Sequence, residues 1–242
     1  MTKQKVVFVA ITKSGAQLCN RLAPQFPDAD FKLMAKVMEH CEGQPNCSAI
    51  EGSVKQAVGD VFAAYEQLVF VVSIGAVVRL IAPHLKSKET DPGVVVIDDV
   101  GDFVIPVLSG HQGGANAFAE EIAAKLEAQV VFTTASEVGK TIAVDILGRE
   151  LGWEVVAPKV NLVRVAADVV NQEKIALVQE AGGKDWWTRS TPIPTNITLF
   201  ESFEEVDMNQ FKSLLWITDR EVPESLWSDL KERLVVYRPP KG

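Results

Sequence analysis

A glycine-rich turn flanked by polar side chains is the segment of this sequence whose residue types best suit chemistry. It reads SGHQGGAN, residues 109–116, and it follows an apolar run that ends at Leu108. A strand that passes through such a turn into a helix directs backbone N–H groups and the helix dipole at an anion. His111 adds a group that acts as general acid or base near neutral pH. We therefore predict an active site with catalytic His111 and Asn116. The other predicted members, which would bind the substrate, are Ser109, Gly110, Gly113 and Gly114.

The same turn lacks both standard phosphate-binding fingerprints. No Gly-Lys-Ser/Thr follows it, and the spacing of Gly110, Gly113 and Gly114 does not fit G-x-G-x-x-G. A nucleotide- or sugar-phosphate-binding enzyme is therefore a weaker alternative. A strand-to-helix turn that simply needs small residues also explains the glycines, and a lone His is often structural.

Two further strand ends carry small or hydroxyl residues. Ser73 and Gly75 open a short helix whose Arg79 could clamp a carboxylate. Thr133 and Thr134 follow another apolar run, where hydroxyls either hold a carboxylate or cap the next helix. If the strands before Ser73, Ser109 and Thr133 are parallel, all three ends meet at one edge of the sheet. That arrangement would suit a large ligand with several carboxylates.

The elements that would position these residues alternate along the chain. Continuously apolar, β-branched runs alternate with amphipathic ones as far as Pro158, which predicts an α/β fold with a mostly parallel sheet flanked by helices, a three-layer α/β/α arrangement. The segment 141–151 is predicted to be a helix, and 40–52 a loop. Weaker signals after Pro158 indicate a second, smaller α/β lobe. The predicted domains are therefore 1–156 and 157–242.

The composition excludes several classes of partner. A formal charge of −8 without a basic stripe argues against nucleic acid. No apolar run approaches the roughly 20 residues that cross a bilayer, so no membrane partner is expected. The basic N-terminus lacks a signal-peptide cleavage region, which favours a cytoplasmic protein. The three cysteines favour a reduced loop over a metal site, since Cys41 and Cys47 are too widely spaced for a C-x-x-C pair.

A longer stretch of the sequence resembles a known family. Gly75 to Leu126, with Lys88, Asp91-Pro92 and the SGHQGGAN turn, resembles the N-terminal domain of the cobalamin biosynthesis protein G (CbiG) family. Ala157 to Val178, and LLWITDREVP through VVYRPP, resemble that family's central region. The family's Thr-Thr-Ala-Thr-Asp segment stands here as Thr-Thr-Ala-Ser-Glu, residues 133–137, which keeps a hydroxyl and a carboxylate.

The resemblance implies a hydrolase of anaerobic cobalamin biosynthesis. The implied reaction opens the ring A δ-lactone of cobalt-precorrin-5A and releases acetaldehyde. Cobalt would arrive with the tetrapyrrole substrate, so no separate cofactor or resident metal is expected. Arg79 and Lys88 would bind the substrate's peripheral carboxylates, with help from Thr133 and Thr134, and Gly75 would line the same site. On residue pattern alone, a solvated surface position is the favoured interpretation of Lys88.

Members of that family usually continue into a C-terminal domain beyond the Arg-Pro-Pro segment, whereas this sequence ends at Gly242. That domain is then a separate polypeptide, or has been cut from the sequence in hand, or is dispensable for the chemistry, and a homodimer is a further expectation. The alternative function is a non-catalytic cobalt-corrinoid-binding subunit that needs a separate C-terminal domain for activity.

Overall fold

The first of two compact units contains a seven-stranded sheet and four α-helices within its described residues. The computed structural model describes residues 5–240, and the chain divides into units of residues 1–133 and 134–242. The strands are β1 (Val6–Ala10), β2 (Asp30–Met34), β3 (Cys47–Ile50), β4 (Gln67–Val71), β5 (Gly93–Ile97), β6 (Phe103–Leu108) and β7 (Gln129–Val130). The helices are α1 (Lys13–Leu22), α2 (Val54–Ala64), α3 (Ile74–Ile81) and α4 (Ala115–Leu126).

The sheet of this unit is parallel except at one strand pair. Its order is β3-β2-β1-β4-β5-β6-β7, and only β5 and β6 pair in antiparallel fashion. Residues 98–102 join these two strands, and so short a connection cannot make the crossover that parallel strands need. The strand β6 therefore runs against β5, and β7 follows the direction of β6.

Helices cover both faces of this sheet. Alternate strand residues such as Phe8 and Val69 belong to a core shared with α1 and α4. Their neighbours Val7 and Phe70 belong to a second core shared with α2 and α3. Both faces are thus apolar, which explains the continuously apolar strands. The predicted three-layer α/β/α arrangement is confirmed.

The second unit is a separate α/β structure with its own sheet. Its strand order is β10-β9-β11-β12-β8, with β8 the antiparallel member. The elements are α5 (Ala135–Val138), β8 (Glu154–Val156), α6 (Lys159–Val170), β9 (Ile175–Gln179), β10 (Ile197–Phe200), β11 (Ser213–Ile217), α7 (Glu224–Leu230) and β12 (Leu234–Arg238).

The boundary between the units differs from the predicted boundary after residue 156. The strand β8 pairs with β12, and Ile142, Val144 and Trp153 pack into the core of the second unit. The helix predicted over 141–151 is wrong, since turns and one 3₁₀ segment occupy it. Gly148 has φ +72°, and a Cβ there would lie 2.7 Å from Cγ of Trp153. The left-handed backbone at Gly148 interrupts a regular helix, and the Trp153 indole occupies the space next to it.

The loop predicted over residues 40–52 contains strand β3, which pairs with β2. It also brings the sulfurs of Cys41 and Cys47 together as a disulfide, with a Cα–Cα distance of 6.8 Å, instead of the predicted reduced loop. Burial raises the pKa of the remaining thiol, Cys19, to about 12. None of the helices formed by residues 5–240 has both the length and the apolarity to span a bilayer.

A buried carboxylate ties the end of β9 to the end of β11 in the second unit. Glu180 accepts hydrogen bonds from Nε1 of Trp216 at 3.0 Å and from Oγ1 of Thr218 at 2.8 Å. It also accepts from the Phe203 amide at 3.0 Å and from Nε of Arg220 at 2.9 Å. Burial by itself would raise the pKa of Glu180, but these hydrogen bonds outweigh it and lower that pKa.

We expect Glu180→Gln to cost about 2 kcal/mol of stability at neutral pH, because hydrogen bonds to a charged group are lost. The folded pKa lies below the unfolded value of about 4.3, so the ionised form stabilises the fold above that pH. This contribution disappears as the pH falls through the folded pKa. The gap between wild type and variant, measured by urea unfolding, should therefore be large at pH 7 and shrink below pH ~4.

The matched control for this experiment is Glu201→Gln, whose exposed carboxylate makes only a 3.7 Å ion pair with Lys184. It should change little at either pH. A gap between wild type and Glu180→Gln that stayed constant across this pH range would contradict the assignment.

Candidate active site

The SGHQGGAN turn leaves β6 through a left-handed residue and closes on itself. Ser109 has φ 51°, which few residues other than glycine adopt. The carbonyls of Gly110 and His111 then accept from the amides of Asn116 and Gly114, both at 3.0 Å. The amide of Gly114 is therefore committed within the turn and does not face a ligand, contrary to the expectation from the sequence. The amides of Gly110 and Gly113 donate to no described residue, so they are the donors that the turn offers.

The turn packs so closely on the start of β5 that two glycines are required. A Cβ added at Gly113 would lie 2.8 Å from the Ser109 carbonyl oxygen and 3.0 Å from the Gly93 nitrogen. A Cβ added at Gly93 would lie 2.8 Å from the carbonyl oxygen of Gly113. Neither backbone can retreat without disturbing a strand, so these positions are fixed by close approach.

The side chain of a fully buried glutamine holds the SGHQGGAN turn through a hydrogen bond. Gln67 begins β4, and its Nε2 donates to the Gly113 carbonyl. Its Oε1 and the hydroxyl oxygen of Ser109 are buried without a hydrogen-bond partner among the described residues. Each buried polar atom without a partner costs about 1–3 kcal/mol of stability, so the other contacts of the turn must be strong enough to hold this conformation.

The two predicted catalytic side chains differ in exposure. His111 is partly exposed, whereas Asn116 is buried. A Cβ at Gly110 would lie only 2.5 Å from Oδ1 of Asn116, so this amide packs directly beneath the turn. The geometry leaves His111 accessible and gives Asn116 a supporting position.

The expectation that three strand ends share one edge of the sheet is wrong. Because β6 runs antiparallel to β5, Ser109 lies at the edge where β4 and β5 begin. Ser73 lies at the opposite edge, where β4 ends. Since β7 is parallel to β6, Thr133 follows it toward the Ser109 edge, where Thr133 is exposed. Thr134 is the next residue and the N-cap of α5.

Lys88 and Arg79, which were both predicted to bind carboxylates, also lie toward opposite edges of the sheet. Lys88 is exposed on the connection that leads into Gly93, and therefore toward the SGHQGGAN turn. The Asp91 carboxylate stabilises that connection by accepting from the Lys86 amide at 3.0 and 3.1 Å. Gly75 and Arg79 follow β4 at the other edge, where Nη1 of Arg79 donates to the carbonyl of Gly75 at 2.6 Å.

Thr12, which has no predicted role, lies at the edge of the sheet where β1 and β4 end. The strand order reverses between β1 and β4, and ligands of open α/β sheets bind at the carboxyl ends of such strands. Thr12, after β1, caps α1 and donates to Oδ1 of Asp99 at 3.2 Å. The only sequence signal for Thr12 was its position at the end of an apolar run.

We expect Gly113→Ala to destabilise the protein by about 2 kcal/mol or more, because its Cβ would meet two backbones. Gly75→Ala is the matched control, since its Cβ would meet only the flexible Nη1 of Arg79 at 3.2 Å. That change should be neutral or stabilising by up to about 1 kcal/mol. Chemical denaturation of both variants checks this, and equal losses would contradict the packing described.

Comparison with known proteins identifies two family regions. Residues 56–137 match the family model described as Cobalamin synthesis G N-terminal, and residues 142–239 match the one described as Cobalamin biosynthesis central region. The chain is 44% identical over 231 residues to a cobalt-precorrin-5A hydrolase of Priestia megaterium. It is 30% identical over 240 residues to the cobalt-precorrin-5A hydrolase of Salmonella typhimurium.

Both alignments cover 96% of this chain, but they cover 61% and 64% of the relatives. The chain thus spans somewhat less than two thirds of their length. The N-terminal match contains the whole SGHQGGAN turn together with Gln67, Lys88 and Gly93. The chain belongs to the cobalamin biosynthesis protein G family, of which it contains the N-terminal and central regions.

Proposed function

We propose that this chain hydrolyses cobalt-precorrin-5A to cobalt-precorrin-5B, opening the ring A δ-lactone and releasing acetaldehyde. The observation that carries the proposal is 44% identity, over 96% of the chain, to a relative named cobalt-precorrin-5A hydrolase. The site geometry supports it, because an accessible imidazole and two uncommitted amides share one rigid turn. Ester hydrolysis needs a general base and oxyanion donors of this kind.

In the first step a water molecule attacks the lactone carbonyl. On this proposal His111 accepts the proton that the water loses, and the amides of Gly110 and Gly113 donate to the oxygen that becomes negative. The carbon–oxygen bond of the lactone then breaks. The leaving oxygen takes up a proton, which leaves a carboxylate on the substrate and a hydroxyl on the carbon that departs next.

In the second step a base removes the proton of that hydroxyl, and the carbon–carbon bond to the macrocycle breaks. The oxygen forms the carbonyl of acetaldehyde, and the electron pair of the broken bond enters the conjugated ring and is later protonated. The ring and its cobalt belong to the substrate, so on this proposal the protein needs no electron sink or cofactor of its own.

The remaining residues of this edge would bind the substrate's carboxylates. Lys88 is an exposed cation on the connection into β5, and Thr133, after β7, supplies an exposed hydroxyl. We assign Asn116 a positioning role, since its side chain packs beneath Gly110. Cytoplasmic localisation and a homodimer belong to the same proposal.

A second candidate is a cobalt-corrinoid-binding unit that turns over only together with the part of the relatives that these 242 residues do not match. It is favoured by one observation, namely that the chain spans 61% and 64% of the relatives' length. Acetaldehyde release by the 242-residue chain alone separates the two candidates, because only the first predicts turnover without a partner.

We expect His111→Gln to lower acetaldehyde release by about 10²- to 10⁴-fold, the range of a lost general base. Folding and binding of the macrocycle should persist, because the side chain is partly exposed. His40→Gln, at a histidine beside Glu39, is the matched control and should retain activity. Normal turnover by His111→Gln would overturn the assignment.

Charge removal at the two edges of the sheet should have unequal effects. Lys88→Ala should raise KM several-fold with little change in kcat, because it removes binding common to ground and transition states. Arg79→Ala should leave both constants unchanged, since Arg79 lies at the edge where β4 ends. Steady-state kinetics of both variants measures this, and the reverse pattern would place the substrate at the opposite edge.

A further inference from the structure

The second unit contains a cleft of about 450 Å³, lined by charged residues, that the proposed hydrolysis does not use. It lies where β11 and β12 begin, beside α6, and its volume falls in the range of small-molecule sites. Its lining residues are Arg164, Asp168, Lys212, Lys231, Glu232 and Arg233.

The cleft is positively charged in an acidic protein. Four of its lining side chains are cations and two are carboxylates, an excess of two positive charges, whereas the whole chain has a formal charge of −8. Clustered charge of one sign in a concave site attracts ions of the opposite sign.

Both carboxylates of the cleft already have partners. The buried Asp168 accepts from the hydroxyl of Ser213 at 2.7 Å. Glu232 lies 4.0 Å from Nη1 of Arg164. By contrast, neither Lys212 nor Lys231 forms an ion pair with any residue in the described range 5–240. Two ammonium groups thus remain uncompensated.

The guanidinium of Arg233 is held rigidly with one end uncommitted. Its Nε donates to the Lys212 carbonyl and its Nη2 to the Met208 carbonyl, both at 2.8 Å. Nη2 also donates to the carbonyl of Phe211. Nη1 has no partner among the described residues. A fixed guanidinium with a free N–H group is suited to charge-assisted hydrogen bonding of phosphate or carboxylate.

The backbone at Lys231 is held in a strained conformation at the same cleft. Lys231 has φ 46°, in the left-handed region that non-glycine residues avoid. The buried Asn161 maintains it, because Nδ2 donates to the carbonyls of Lys231 and Leu234 at 2.9 and 2.8 Å. Such strain persists where surrounding structure enforces it, commonly at ligand clamps.

We propose that this cleft binds a small anion with at least two phosphate or carboxylate groups. A multiply charged anion matches the excess of two positive charges, and a volume of about 450 Å³ is more than a single such group fills. Lys212, Lys231 and Nη1 of Arg233 would contact it, and Asp168 would remain paired with Ser213. The inference is independent of the hydrolase activity proposed for the first unit.

Isothermal titration calorimetry of the full 242-residue chain tests this inference with two probes, inorganic pyrophosphate and tricarballylate. We expect saturable binding of at least one probe that weakens as salt is added. The better-bound probe identifies phosphate or carboxylate as the recognised group. The double variant Lys212→Gln/Lys231→Gln should lower the affinity by about tenfold or more, through loss of two charge-assisted contacts.

The matched control is Lys55→Gln/Lys184→Gln, which removes the same charge from exposed positions outside the cleft. It should bind the probes as wild type does. Absence of saturable binding of either probe at millimolar concentration would overturn the inference. Equal affinities of the cleft variant and its control would overturn it as well. Because neither result depends on turnover, failure here is distinguishable from failure of the proposed hydrolase activity.

Discussion

The contact of the Gly113 backbone with Gly93 and Gln67 is the constraint on which the proposed active site depends. It joins a turn after β6 to the starts of β4 and β5 through one buried side chain and two residues without a Cβ. This close packing leaves buried polar atoms without partners, and the amide of Gly114 donates within the turn. What remains is a stiff turn with an accessible imidazole and the amides of Gly110 and Gly113.

The antiparallel direction of β6 determines which of the predicted site residues lie at the same edge of the sheet. It carries Ser109 and Thr133 to the edge where the parallel strands begin, with the connection that bears Lys88. It leaves Arg79 at the edge where β4 ends. A single site lined by all three strand ends, as inferred from the sequence, is therefore excluded. Preorganised donors on a rigid turn are the arrangement that ester hydrolysis requires.

Local patterns predicted most elements, because they depend on neighbouring residues. The bounds of β6, Phe103–Leu108, follow from an apolar run between turns, and α4 follows from helical spacing after the glycines. The connection 98–102 is too short for a crossover, so the sequence does contain the antiparallel direction of β6, and that direction determines the edge of the sheet at which Ser109 lies. The roles of Gln67 and Gly93 depend on contacts with Gly113, which is 46 residues from Gln67 in sequence, and had no local signal.

The elements that sequence analysis missed are short or interrupted. Strands β3 and β10 are four residues long at sheet edges and expose several side chains, so they lack a clear apolar period. The helical spacing of residues 141–151 yields to Trp153, which packs against Gly148. Family resemblance, rather than periodicity, was what indicated the function of the SGHQGGAN turn.

Hydrogen–deuterium exchange of Gln67→Leu tests the central claim, the anchoring of this turn, most directly. The substitution replaces the buried amide with an apolar side chain of similar size and removes the donor to the carbonyl of Gly113. The account predicts that peptides covering residues 109–116 lose protection while β1 and the second unit keep theirs. Unchanged protection of that turn would show that it is held by something other than this contact.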